Sequence, residues 1–120
     1  QFALDGWWIS DYLSFMNNTP SDYSIQTIEE SNIVSIDIQK LDELFIELPK
    51  LERYFRLIMQ KALAGAQNRS KLLYEMSKVE FYQHFCDSFP EFMQRVPQYM
   101  IASYLGLTPE YLSELRKRKS

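Results

Sequence analysis

The side chains of this 120-residue chain that could do covalent chemistry are few. Its only pairing of a thiol nucleophile with a base is Cys86 with His84. The two stand two residues apart in a stretch whose apolar spacing predicts a helix, so they point in different directions, and the thiol has no base to activate it. With no further Cys or His they also fall short of a metal-ligand set. Three glycines leave no phosphate-cradling loop. These residues imply a chain that is not an enzyme and needs no cofactor.

A second group of side chains could recognise rather than react. The run from Gln98 to Lys117, QYMIASYLGLTPEYLSELRK, has the pattern of a helix-turn-helix. Two helices crossing steeply over a short turn need a small residue where their backbones approach, and Ala102 occupies that place. The turn needs a residue free to take positive φ, which is Gly106. A buried seam is supplied by Ile101, Leu105, Leu107, Leu112 and Leu115. Thr108 suits the N-cap of the second helix, Pro109 its first position and Glu110 its positive end. An ordinary helical hairpin shares the Gly and Thr-Pro punctuation but does not require Ala102 and Gly106 at this spacing within a complete seam. DNA binding is the leading expectation.

Composition bounds the rest. With 46% hydrophobic and 24% charged residues the chain can form one compact domain or two very small ones. A single cysteine excludes an internal disulfide and suits a reducing compartment. The absence of a long apolar run and of a signal-peptide pattern predicts a cytoplasmic protein with no membrane association. The net charge of −3 conceals an asymmetry. Residues 1–50 carry nine acidic and two basic side chains, net −7, whereas residues 51–120 carry seven and eleven, net +4. The basic end, Arg116 to Lys119, can attract phosphate or simply complement a helix dipole.

The positioning elements divide the chain into three parts. Within residues 1–50, the stretch from about Trp7 to Ile38 alternates apolar and polar in short runs, Tyr23 to Thr27 and Val34 to Ile38, which predicts strands; from Lys40 to Leu48 the spacing of Leu41, Leu44, Phe45 and Leu48 becomes helical, and Pro49 interrupts or restarts the helix. Residues 51–76 read as one long helix with an apolar or small face that includes Leu51, Tyr54, Phe55, Ile58, Ala62, Gly65 and Ala66. Gly65 in mid-helix costs about 1 kcal/mol relative to Ala, which calls for a packing reason: a symmetric partner helix or the chain's own domain. Residues 77–120 form a helical set. Val79, Phe81, Tyr82, Phe85 and Phe89 lie on a helix ended by Pro90, with Phe92 and Met93 beside it. These aromatics lack interleaved cations and read as core, not as a base-stacking platform.

The run FPEFMQRVPQYMIASYLGLTPEYLSELRKRK, preceded by LPKLERYFRLIMQKAL and GWWISDYLSF, resembles the Crp/Fnr superfamily of bacterial transcription regulators. The resemblance covers most of the chain and is most specific in residues 89–118. It implies an α+β fold: the C-terminal part of a cyclic-nucleotide-binding-like β-roll over residues 1–50, a dimerisation helix over 51–76, and a winged-helix-like domain over 77–120 with the wing absent or minimal. It also implies that further β-roll strands precede Gln1. A homodimer would place two recognition helices, residues 108–118, in successive major grooves about 34 Å apart. The partners implied are double-stranded DNA, a second copy and, as a further candidate, RNA polymerase. The residues expected to face DNA are Arg95, Gln98, Thr108, Glu110, Tyr111, Ser113, Glu114, Arg116, Lys117 and Lys119.

Two departures bear on function. Where ligand-binding members carry a Gly-Glu pair and an Arg, this chain has Ser10-Asp11 and Thr19-Pro20-Ser21, with no basic residue from Gln1 to Ile38. A buried phosphate without a cation is disfavoured, which argues against cyclic nucleotide binding. Glu114 stands where many relatives have a guanine-reading Arg. It can accept from a cytosine amino group, as can Glu110, or it can be solvated and paired with Arg118. The redox branch of the family needs several cysteines for an iron–sulfur cluster, and one cannot hold it. A competing expectation is a protein-interaction module whose helix-turn-helix no longer reads bases.

Overall fold

The computed structural model describes residues 1–119, the side chain of Lys119 excepted. Its elements are α1 (Tyr12–Asn17), α2 (Ile38–Glu47), α3 (Pro49–Glu75), α4 (Lys78–Ser88), α5 (Pro90–Arg95), α6 (Gln98–Leu105) and α7 (Pro109–Lys119). The chain is 66% helix, with no strand among the described residues. The expected α+β fold with a partial β-roll over residues 1–50 is therefore corrected to an all-helical one, and no wing forms among the described residues.

The physical reason lies in what an alternating segment needs. A strand is stabilised by a partner edge and by an apolar layer for its inward face, and a lone pair of short strands is marginal in water. Tyr23 is 80% exposed and Val34 85% exposed, so neither alternating stretch has such a layer. Ile38 is taken instead into α2, because the Asp37 carboxylate accepts the backbone N–H of Lys40 at 2.8 Å and caps the helix.

Two units are distinct. In the first, Ala3–Ala64, only Leu41 is buried. Phe55 gathers the aromatic contacts there, with ring centroids 4.9 Å from Trp8 and 5.6 Å from Phe45. Pro49 opens α3 at a first-turn position, where its missing N–H costs nothing.

The second unit comprises Gln1–Phe2 and Gly65–Ser120. Its core is formed by Phe81, Tyr82, Phe85, Phe92, Ile101, Ala102, Leu105, Leu107, Leu112 and Leu115, with no buried polar side chain among the described residues. Ser77 starts α4 with a capping box: its Oγ accepts from Glu80 N at 3.2 Å, and Glu80 Oε2 accepts from Ser77 N at 2.9 Å. Phe89 ends α4, and Pro90 begins α5. Val79 and Phe89, expected on the core helix, are exposed, while Phe92 is buried.

The α6–α7 turn closes through two backbone bonds. Gly106, at φ +70° and ψ +30°, donates to Ser103 O at 3.2 Å, and Leu107 N donates to Ala102 O at 2.8 Å. These are the two bonds of a Schellman motif, and Leu107 packs as its apolar closing residue. A Cβ at Gly106 would meet nothing within 4 Å, so a substitution there carries backbone strain alone. Gly106→Ala is expected to destabilise the unit by about 1–2 kcal/mol, read as a lower urea midpoint at unchanged slope. An unchanged midpoint would show that the positive φ is not obligatory.

Candidate nucleic-acid interface

The candidate interface is built outward from the α6–α7 seam. Ile101 and Leu112 are 0% exposed and Ala102 is 1% exposed, so the small residue lies inside the buried seam. Leu105, Leu107 and Leu115 complete the buried face. The Thr108 side chain caps α7, its Oγ1 accepting from Tyr111 N at 3.2 Å, while Leu112 N donates to Thr108 O at 3.0 Å. Leu112 and Leu115 turn inward, and helical periodicity sends Glu110, Glu114 and Lys117 to the opposite face, where all three are exposed. Tyr111 and Ser113 are half-buried at its margins.

The remaining expected contacts are more dispersed. Arg116 and Lys117 are exposed on α7. The side chain of Lys119 lies outside the described residues. Gln98 is half-buried at the start of α6. Arg95 is exposed on α5 and holds a 3.3 Å salt bridge to Glu91 one turn earlier, an exposed pair of small energetic weight that leaves Arg95 able to exchange partners. Among the described residues Glu114 forms no ion pair with Arg118, so the pairing that would have neutralised it is not made.

Two supporting contacts are not visible in the periodicity of the sequence. Lys78 Nζ donates to Gly106 O at 3.5 Å, tying the start of α4 to the turn. The Arg69 guanidinium carbon stands 3.9 Å from the ring centroid of Tyr104. Arg69 was legible in principle, because steps of three and four along the apolar face of α3 pass through position 69. Tyr82, read from its spacing as core and 1% exposed, holds its proton up to about pKa 12. Burial is the main cause, a hydrogen bond to Cys86 and repulsion by its thiolate add to it, and the Arg116 cation opposes them.

The residues expected to pair α3 with a second copy divide between the two units. Leu51, Phe55 and Ile58 are half-buried and Tyr54 is exposed in the first. Ala62 is exposed as well, and Gly65 and Ala66 are exposed in the second. A Cβ at Gly65 would meet nothing within 4 Å, so the chain itself provides no packing reason for this glycine.

Near α1, Asp11 Oδ2 accepts from Ser21 Oγ at 2.6 Å and from Ser14 Oγ at 2.9 Å. The Ser21 bond, followed by that of Ser14, holds the Asp11 carboxyl below the usual carboxylate value. The two places where ligand-binding members carry a Gly-Glu pair and an Arg are thus joined by a carboxylate, a poor environment for another anion. Among the described residues no three His, Cys, Asp or Glu side chains are disposed to hold a metal ion, and no helix is long and apolar enough to cross a membrane. No family model, characterised protein or solved structure matches the chain.

Tyr82 yields a pH dependence whose sign is fixed. An unfolded tyrosine ionises near pH 10, whereas folded Tyr82 does so near 12, so between these values the native state binds more protons. Stability from this group is intact below about pH 10 and lost as the pH rises toward 12. Thermal melts over that interval should decline more steeply for the wild type than for Tyr82→Phe. Parallel declines would remove Tyr82 as the cause.

Proposed function

We propose that residues 77–120 are the DNA-binding part of a cytoplasmic transcription regulator of the Crp/Fnr type, with α7 as the helix that enters the major groove. The observation that carries this reading is the closed α6–α7 seam, which turns Glu110, Glu114 and Lys117 outward on a rigid, capped helix. Base edges in the major groove are read by side chains held in this way. Arg95, Arg116, Lys117 and Lys119 supply the attraction to phosphate, Gln98 and Thr108 stand near the ends of the motif, and Tyr111 and Ser113 flank the reading face.

The carboxylates set the specificity. Glu110 and Glu114 accept hydrogen bonds from cytosine amino groups, so the target is read by acceptors where many such helices use donors. They also reduce the electrostatic contribution, which makes affinity depend on the four cations. Log affinity for short duplexes should fall with log salt at a slope of about −3 to −4 per protomer. No binding at low salt would sink the DNA reading and favour a protein-interaction module, for which the two exposed carboxylates are the supporting feature. Glu114→Arg is expected to change the preferred base; a uniform rise over all sequences would mean that Glu114 is only solvated.

The regulator acts as a homodimer through α3, a reading supported by the exposed Ala62, Gly65 and Ala66 face, where small side chains let a second helix approach. RNA polymerase is a further candidate partner, and cyclic nucleotide is not a ligand. Sedimentation equilibrium should give a dimer for the wild type and a shift toward monomer for Gly65→Leu. A wild-type monomer at high concentration, or a dimer untouched by Gly65→Leu, would remove this interface.

A further inference from the structure

Arg69 is a half-buried cation on the last turns of α3, and no carboxylate bonds it among the described residues. Burial lowers its pKa from the ordinary arginine value, and a guanidinium at neutral pH still carries its charge. A cation withdrawn from water needs compensation. Here the compensation is aromatic: the guanidinium lies 3.9 Å from the centroid of Tyr104 and 6.0 Å from that of Phe81. The Tyr104 ring is itself held on other sides, 5.0 Å from Phe2 and 5.5 Å from Phe85. Tyr104 belongs to α6, one residue before Leu105 of the buried seam.

We propose that Arg69 is the positioning residue of the DNA-binding unit: by seating its guanidinium on Tyr104 it fixes α6, and through the α6–α7 seam the recognition helix, against residues 65–75 of α3. The inference rests on the DNA-binding reading for its consequence but not for its geometry. The side chain touches no base or phosphate in this role. Its contribution is to hold α7 at one angle before DNA arrives, which spares the complex the cost of ordering it.

The test uses the full chain and three substitutions. Arg69→Met keeps the stem and removes the cation, Arg69→Lys keeps the cation, and Tyr104→Leu removes the ring without changing charge. The first readout needs no DNA: amide residual dipolar couplings of α6 and α7 against residues 65–75. Arg69→Met and Tyr104→Leu should shift these couplings in the same way, and Arg69→Lys should stay near wild type. The second readout is affinity for a short duplex enriched by the wild type from a random-sequence pool. Arg69→Met and Tyr104→Leu should each lose about fivefold, with Arg69→Lys close to wild type. The salt slope should be unchanged in all three. Unchanged couplings in Arg69→Met overturn the proposal, as does a salt slope smaller by about one, which would make Arg69 a phosphate contact. Where Arg69→Met does not fold, Tyr104→Leu against Arg69→Lys decides the same question. Failure of the wild type to enrich any duplex removes the DNA-binding reading while the couplings still decide the role of Arg69.

Discussion

The backbone at Gly106 is the constraint on which the C-terminal unit depends. One residue at positive φ reverses the chain, and the paired bonds from Gly106 and Leu107 to Ser103 and Ala102 satisfy carbonyls that would otherwise be left at the end of α6. The reversal brings Leu112 and Leu115 onto Ile101, Ala102 and Leu105. Once that seam is closed, the rotation of α7 about its own axis is no longer free, because any other rotation would expose leucine and bury a carboxylate. The outward direction of Glu110, Glu114 and Lys117 is a consequence of this burial and requires no further interaction.

The remainder of the unit supports that arrangement from beneath and from the side. Tyr82 is buried in the core, and that burial raises the pKa of its hydroxyl. Lys78 holds the turn, and Tyr104 brings together Phe2, Phe85 and Arg69 around α6. Most of these contacts are aromatic or apolar, so the core holds α6 and α7 without a buried ion pair whose desolvation would have to be offset. The unit Ala3–Ala64 has a different character. Only Leu41 is buried there, and Trp7, Leu13, Tyr23, Ile33 and Val34 are exposed.

That difference explains where the sequence was legible. In the C-terminal unit, local and tertiary requirements agree: each seam residue inferred from the spacing is buried, the Thr108 cap and the Pro109 start form as the residue types require, and Pro90 separates two helices. The long helix from Pro49 to Glu75 followed from its period. The strands did not form, because alternation shows only that a segment could pair, and pairing depends on an edge and a layer supplied from elsewhere. Asp37 marks the point where a local cap prevailed over alternation and drew Ile38 into a helix.

The sequence by itself determined the helix-turn-helix, its buried and exposed positions and the asymmetry of charge, since each depends on residue type at short separation. Only the tertiary structure decided that residues 1–50 form no sheet, that Arg69 rests on Tyr104, that the charge of Arg116 reaches the buried Tyr82, and that Glu114 lacks the Arg118 pairing. The first three join or fail to join residues far apart in the chain, and helical period carries no information about which distant surfaces meet. The last depends on which rotamers two long exposed side chains adopt, which spacing allows but does not select.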